Sequence, residues 1–496
     1  MRVPACGAPG GCVVDSAPAM RGTCGVPMAT GVRKGGRLVA AALAAAALGL
    51  VAAAAAGPGA VWPVPAGTAA GNRLQTQGRG TFPAFQILRA PTGKAIAWLV
   101  AGPLAAGEPA RLIGSRADAA LVAYAVERGG LRLLFEISEG TSPDAAPAVP
   151  VVTRGGDRAV VAAALDGSLT VVWGGREARL PLAVTLSPLA HLVPVDVDGD
   201  GIQELLALSR EGELLLIGGL PEHARVTARL ALHTTPDAHI VVGDLDGNGR
   251  PEAVLLTGPT DRYPHGALGD AIETETLTVV ELGAGLLRER ARFTLAADAV
   301  FEDLGPILAD LDGDGRPEVL VVRSTQSQGA AVVAFAWRGG RLEPFAEGPA
   351  LGKFGRWVHL LGVADMEGAG RPQVLGMRTP DVNGVLQVFD VAPPRLALRT
   401  ERAGGATHAF GSRNLDQVAL ADLAGTGHPQ IVAPHGRRRR IVAMEWLGGG
   451  LLERWGYELG GPIASNLVVA DLAGGGLLDL AVADAGGNLH VLLSRR

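Results

Sequence analysis

Three nine-residue segments constrain this chain more than any other feature: DVDGDGIQE at Asp196–Glu204, DLDGNGRPE at Asp244–Glu252 and DLDGDGRPE at Asp310–Glu318. Each stands between short aliphatic runs, so each reads as a turn joining two buried strands. Oxygen-bearing side chains recur at alternate positions, as Asp196, Asp198, Asp200 and Glu204, then Asp244, Asp246, Asn248 and Glu252, then Asp310, Asp312, Asp314 and Glu318. Hard divalent cations want several oxygens at once, and odd positions of a tight loop point them inward. The pattern therefore predicts three calcium loops, with the backbone carbonyls of Ile202, Arg250 and Arg316 completing the ligand sets. Turn capping alone asks for one Asp or Asn, not three such positions and a terminal Glu.

The loops also set a period. Counting three further, degenerate loops, the leading aspartates are Asp196, Asp244, Asp310, Asp365, Asp422 and Asp471, which lie 48, 66, 55, 57 and 49 residues apart. Repeats of this length are propeller blades, and Gly and Pro spread along the whole chain suit many short strands joined by turns. Two fainter units, one from Ala101 and one from about Pro150 to Leu186, bring the count to eight, with seven as the alternative. The unit around Asp365 reads as four strands, VHLLGVA, QVLGM, VLQVFDV and LALRTE, with an Asn383–Gly384 turn before the third. Trp173, Trp337 and Trp446 each end a third strand just before a Gly pair, a position for core aromatics and a tight hairpin. The last unit stops one strand short at HVLLS, and Phe85–Leu88 is expected to supply the missing strand and close the ring. The expected fold is thus an all-β propeller of four-stranded blades over 82–496.

The N-terminal part is of another kind. Arg33, Lys34 and Arg37 precede the apolar run 38–56, the order of an export signal, so 1–56 reads as a tail followed by a cleaved signal peptide or a retained membrane anchor. Translation could begin at Met1, Met20 or Met28. Residues 57–81, rich in Gly, Pro and Ala, read as a linker. Cys6, Cys12 and Cys24 all precede the run, so the exported part has no disulfide to stabilise it and leans on packing and metal. The expected location is extracytoplasmic, which with a net charge of −5 gives no support to a nucleic-acid partner.

With these residues in hand the chain resembles the FG-GAP/VCBS repeat family, known best from the propellers of integrin alpha subunits. Phe354–Gly355 and Phe410–Gly411 precede their loops, and Val432–Ala433–Pro434 follows one. The resemblance implies calcium in the aspartate loops on one face of the ring and ligand contacts on the other, and it names no ligand. Departures divide the loops. The Asp365 loop has Ala369 and Gln373, the Asp422 loop has Ala424, Thr426 and Gln430, and the Asp471 loop has Ala473 and Gly475, too few charged oxygens for the ion.

No GxSxG, HExxH or P-loop is present, and no cysteine follows the signal, so nucleophilic, zinc and nucleotide chemistry have no sequence support. His191, His239 and His359 recur where inner strands begin and could in principle share an axial metal, although strand-end histidines satisfied in the core explain them as well. Two stretches suggest a recognition face. The segment Gly258–Glu275 stretches one second-to-third connection, bringing Asp261, Tyr263 and His265, and Arg437, Arg438, Arg439 and Arg440 occupy the same connection in another unit. The first expectation is a monomeric, non-catalytic, calcium-stabilised scaffold for adhesion or binding, with a protein or glycan partner. The second is a carbohydrate-active enzyme, a polysaccharide lyase or hydrolase, disfavoured by having only 3 Tyr and by three of the 7 Trp sitting at strand ends.

Overall fold

The computed structural model describes residues 75–495 apart from 128, 145–147 and 382. The export-type segment 1–56 and all three cysteines lie outside the described residues. Alternation of apolar and polar residues, interrupted by glycine-bearing turns, makes every major element a strand, and antiparallel pairing gathers the strands into four-stranded blades. In chain order the blades span 96–137, 149–180, 193–231, 241–294, 307–347, 358–405 and 419–458. An eighth joins the strands of 468–494 to Phe85–Pro91, whose register runs from Phe85 opposite Ser494 to Pro91 opposite Asn488. Pairing of the first blade-forming strand with the last closes the ring, as the truncated final repeat leads one to expect.

Within a blade the strands are inner, second, third and outer. Inner strands such as Val241–Gly243 and Ile307–Ala309 are only three residues long and wholly buried, whereas the outer strand Arg225–Ala231 alternates exposed and half-buried. Two faces of each blade must therefore be apolar, and they pack on the neighbouring blades. Eight buried clusters result, one between each pair of neighbours around the ring. One of them unites Val193, Leu206 and Leu214 with Val242, Leu255 and Val280 of the next blade. Burying one such Val or Leu stabilises by about 1.5–3 kcal/mol, so each interface is a substantial core of its own. Trp337 and Trp446 are 8% and 9% exposed in these interfaces, and Trp173 is half-buried. The Gly pairs after them take φ of 56° and 82° at Gly339 and Gly340, and of 59° and 88° at Gly448 and Gly449, the left-handed conformation that a two-residue hairpin needs.

The structure alters the expected start of the folded part. Gln75–Arg79, read from composition as linker, is a strand lying parallel to Ala419–Asp422, and Gly80 and Phe82 donate backbone hydrogen bonds to Asp422 and Leu423. An inner strand keeps one edge unpaired, and this edge is satisfied by whatever chain passes it, a tertiary circumstance that leaves no mark on local composition.

Candidate metal loops and the opposite face

Every aspartate loop joins an inner strand to its second strand, so all six lie on one face of the ring. The leading aspartate shapes the turn. The amides of Gly199 and Gly201 donate to the two oxygens of Asp196 at 2.7 and 2.9 Å, and Gly313 and Gly315 do the same for Asp310 at 2.7 and 2.9 Å. Asp244 accepts from Gly247, Asn248 and Gly249. The ninth residue closes the loop on the second: Glu204, Glu252 and Glu318 accept from the amides of Val197, Leu245 and Leu311 at 3.3, 3.0 and 2.8 Å.

The degenerate loops keep the same frame. Asp365, Asp422 and Asp471 accept amides of the fifth and sixth residues, and Gln373 and Asp479 accept those of Met366 and Leu472. The first position therefore builds the turn in all six loops and the ninth closes it in five, Gln430 of the Asp422 loop pairing with Glu445 and Trp455 instead. The third and fifth positions make the difference. Asp196, Asp198 and Asp200, then Asp310, Asp312 and Asp314, and Asp244, Asp246 and Glu252 each bring carboxylate oxygens within 4.8 Å of one another, and among the described residues only these three loops do so. Like charges so close raise each other's cost. Burial, with the neighbouring aspartates adding to it, pushes the carboxyls of Glu252 and Glu318 up to about 7 and that of Glu204 upward. A hard cation would relieve that repulsion, and this donor set, all oxygen and mostly carboxylate, suits calcium. In the Asp244 loop a cation already stands close by: Arg290 Nη1 is 2.8 Å from Asp246 Oδ2 and 2.9 Å from Glu252 Oε1.

The opposite face holds the second-to-third connections, and here two expectations need correction. The segment 261–272 between Glu252–Thr260 and Glu273–Gly283 is a fitted cover, not a free recognition loop. Tyr263 is 1% exposed, with its ring 4.7 Å from that of Phe354 and its hydroxyl accepting from the Gly355 amide at 3.1 Å. His265 pairs through Nδ1 with Glu302, which raises the imidazole pKa. Ala267 and Leu268 join the apolar cluster that contains Trp357 and Leu415, and Arg413 ties Asp270 to Asp237 at 2.6 Å each. Burial takes Tyr263 out of reach of a partner, while Asp261 stays exposed. The apolar residues of the insertion decided its position, because the neighbouring blades offered them a dry seat.

Nor do the four arginines stand free as a recognition patch. Arg440 pairs with Glu453 and Glu458, Arg439 donates to the Gly460 carbonyl at 3.1 Å, and Arg438 leans inward to Gln417 at 3.5 Å. Arg437 is exposed, as is Arg439, at a turn where both Arg437 and Arg438 have positive φ. The histidines are likewise structural in their placing. His191 and His239 stack with ring centroids 3.5 Å apart and His359 lies 3.4 Å from Asp303, and no histidine joins a metal-type group among the described residues.

Sequence reasoning missed the buried acids beneath the cover. Glu273, 5% exposed, has its carboxyl pushed up to about 10 by burial, with repulsion from Glu302 and Asp270 added, so it is protonated at neutral pH. Glu302, 1% exposed, is held by His265 and Ser324. Both carboxyls are buried. A polar cleft of about 470 Å³ remains on this face, lined by Trp98, Asp144, Arg413 and Asn414 among others. On the same face Phe354 and Phe410 are 45% and 69% exposed, and Ile272 44%.

Ring closure, four-stranded blades and one face of acidic loops define a β-propeller. No protein-family model and no curated protein matches the sequence. Among solved structures, Sqt1 of Saccharomyces cerevisiae is similar with a TM-score of 0.52 at 10% identity, over 84% of this chain and 100% of its own. A Dos1 propeller has a TM-score of 0.48 at 10% identity, over 86% of this chain and 96% of its own. An Agrocybe aegerita lectin solved for its recognition of non-reducing terminal N-acetylglucosamine has 0.41 at 12% identity, over 84% and 96%. At such identities the likeness is one of fold.

Proposed function

We propose that this chain is an exported, non-catalytic binding scaffold of the FG-GAP/VCBS type, calcium-stabilised on one face and presenting the other to a protein or glycan partner. The observation that carries the reading is the division of the two faces. One gathers carboxylates into compact oxygen sets at Asp196–Asp200, Asp244–Glu252 and Asp310–Asp314, and the other carries exposed Phe354, Phe410 and Ile272 and a polar cleft of about 470 Å³. Exposed large apolar side chains and a polar recess on one face fit a binding surface better than a solvated end. Calcium, when bound, neutralises the clustered aspartates and ties each inner strand to its second strand. Arg33, Lys34 and Arg37 ahead of the apolar run support export.

Chelation should lower the melting temperature, and metal analysis should find that Asp312→Ala loses one calcium equivalent while Asp422→Ala loses none. Equal loss from both would overturn the assignment of the loops. For the partner face, binding to arrays of glycans and of exported proteins should weaken when Phe410, 69% exposed, is changed to Ser, with melting and calcium content unchanged. Binding that survives that change places recognition elsewhere.

A further inference from the structure

The blades differ in what their outer strand aims at the aspartate loop. In each of five successive blades the outer strand carries a one-residue bulge at the same register, and the extra residue is Thr227, Arg290, Phe345, Arg399 or Arg454. A bulge leaves its extra residue outside the ladder, where its side chain can be re-aimed. Arg290 uses this to reach two carboxylates of the Asp244 loop, Asp246 Oδ2 at 2.8 Å and Glu252 Oε1 at 2.9 Å, with its guanidinium carbon 5.2 Å from the ring centroid of Trp337 in the next blade. Arg399 repeats the arrangement in a degenerate loop, 2.5 Å from Glu367 and over Trp446 at 5.2 Å. Arg454 lies 2.9 Å from Glu445, which accepts from Thr426 and Gln430 of the Asp422 loop. The Asp196 and Asp310 loops have Thr227 and Phe345 at this place instead, with no charge to offer.

We propose that Arg290 is an internal cation that stands where a metal would in the Asp244 loop, so that the chain holds two calcium ions, in the Asp196 and Asp310 loops, and not three. The inference rests on the calcium reading above. Its physical basis is charge and tethering. The Asp244 loop has Asn248 where the others have Asp200 and Asp314, so it starts with one carboxylate fewer, and Arg290 then occupies two of those that remain. A guanidinium seated on Trp337 and held by its own strand is already ordered, whereas calcium must expel it and leave it without a counter-charge. Asp246 accordingly is half-buried, while Asp198 and Asp312 are exposed. Arg316 also pairs with a loop carboxylate, Asp314, but it touches one oxygen only and its side chain is 45% exposed, so it can swing into solvent as an ion enters.

Counting calcium equivalents by titration calorimetry, with bound metal measured after dialysis, tests this. Wild type should take two equivalents. Asp198→Asn and Asp312→Asn should each remove one, while Asp246→Asn should remove none. Arg290→Gln should raise the count to three, melt below wild type in chelator, and regain more melting temperature than wild type when calcium is added. Three equivalents of similar affinity in wild type, or loss of one on Asp246→Asn, overturns the role of Arg290 and leaves the calcium reading standing. No calcium in wild type brings down both. If Arg290→Gln fails to fold, the asparagine series still decides.

Discussion

At the scale of single residues the chain works with buried charge, and position decides its sign. Glu273 and Glu302 sit beneath the insertion at 5% and 1% exposure, where an ionised carboxylate would lose its water without gaining a full counter-charge. Glu273 responds by staying protonated, its pKa raised from 4.5 to about 10. A carboxyl raised in the folded state contributes its full stability below its unfolded value near 4.5, and that contribution is lost as pH rises toward 10, at about 1.4 kcal/mol per pH unit. Glu273→Gln should therefore flatten the fall in stability between pH 5 and pH 9, values chosen inside that window, and should leave the variant the more stable of the two at the upper end. Denaturant melts across the range would show it, and parallel curves for the two proteins would refute the protonated state. Arg437 and Arg440 illustrate the milder, exposed case. Arg440→Ser removes ion pairs to Glu453 and Glu458 and should cost up to about 1 kcal/mol, whereas Arg437→Ser, which breaks no contact, should leave the melting curve in place.

At the scale of elements, loops and bulges are where the repeated blades become different from one another. All six loops share a backbone frame fixed by the first position, closed in five of them by the ninth, so loss of the third and fifth carboxylates leaves the turn intact and only the donor set changes. The insertion 261–272 is the largest departure. Its seat on Trp357, Leu304 and Leu415 makes it part of the core between two blades. Replacing 262–271 with a Gly/Ser linker should expose that apolar surface, lower the melting temperature and raise amide exchange across 354–359 and 407–415, while the hairpin pairing of Glu252–Thr260 with Glu273–Gly283 persists. Exchange confined to the linker itself would show that the insertion merely rests on the surface.

At the scale of the whole molecule, stability is distributed around a closed ring of interfaces, so no blade can be lost without exposing two apolar faces. One strand closes the ring. Phe85–Pro91 supplies the fourth strand of the last blade, and Phe82 and Phe85 anchor it with Phe82 stacked 4.9 Å from Trp455. A chain starting at residue 92 should leave the Asn488–Ser494 edge bare and tend to associate edge to edge, visible as oligomers in size-exclusion chromatography. Phe82→Ala should cost about 3–5 kcal/mol for the same reason.

Much of this was legible in the chain. The period of the aspartate loops, the Gly pairs after Trp337 and Trp446, and a final repeat one strand short specify a ring of four-stranded blades closed by Phe85–Leu88, because turn chemistry and strand period are local properties. The grouping of Asp196, Asp310 and their partners is local for the same reason, since ligands within nine residues are brought together by one turn. What lay beyond the sequence is whatever depends on neighbours distant in the chain. Arg290 meets Asp246 across 44 residues, Arg413 meets Asp237 across 176, and Tyr263 and His265 turn inward to Gly355 and Glu302. Burial and charge pairing are properties of the assembled ring, and only packing of the blades decides which arginine finds a partner and which acid keeps its proton.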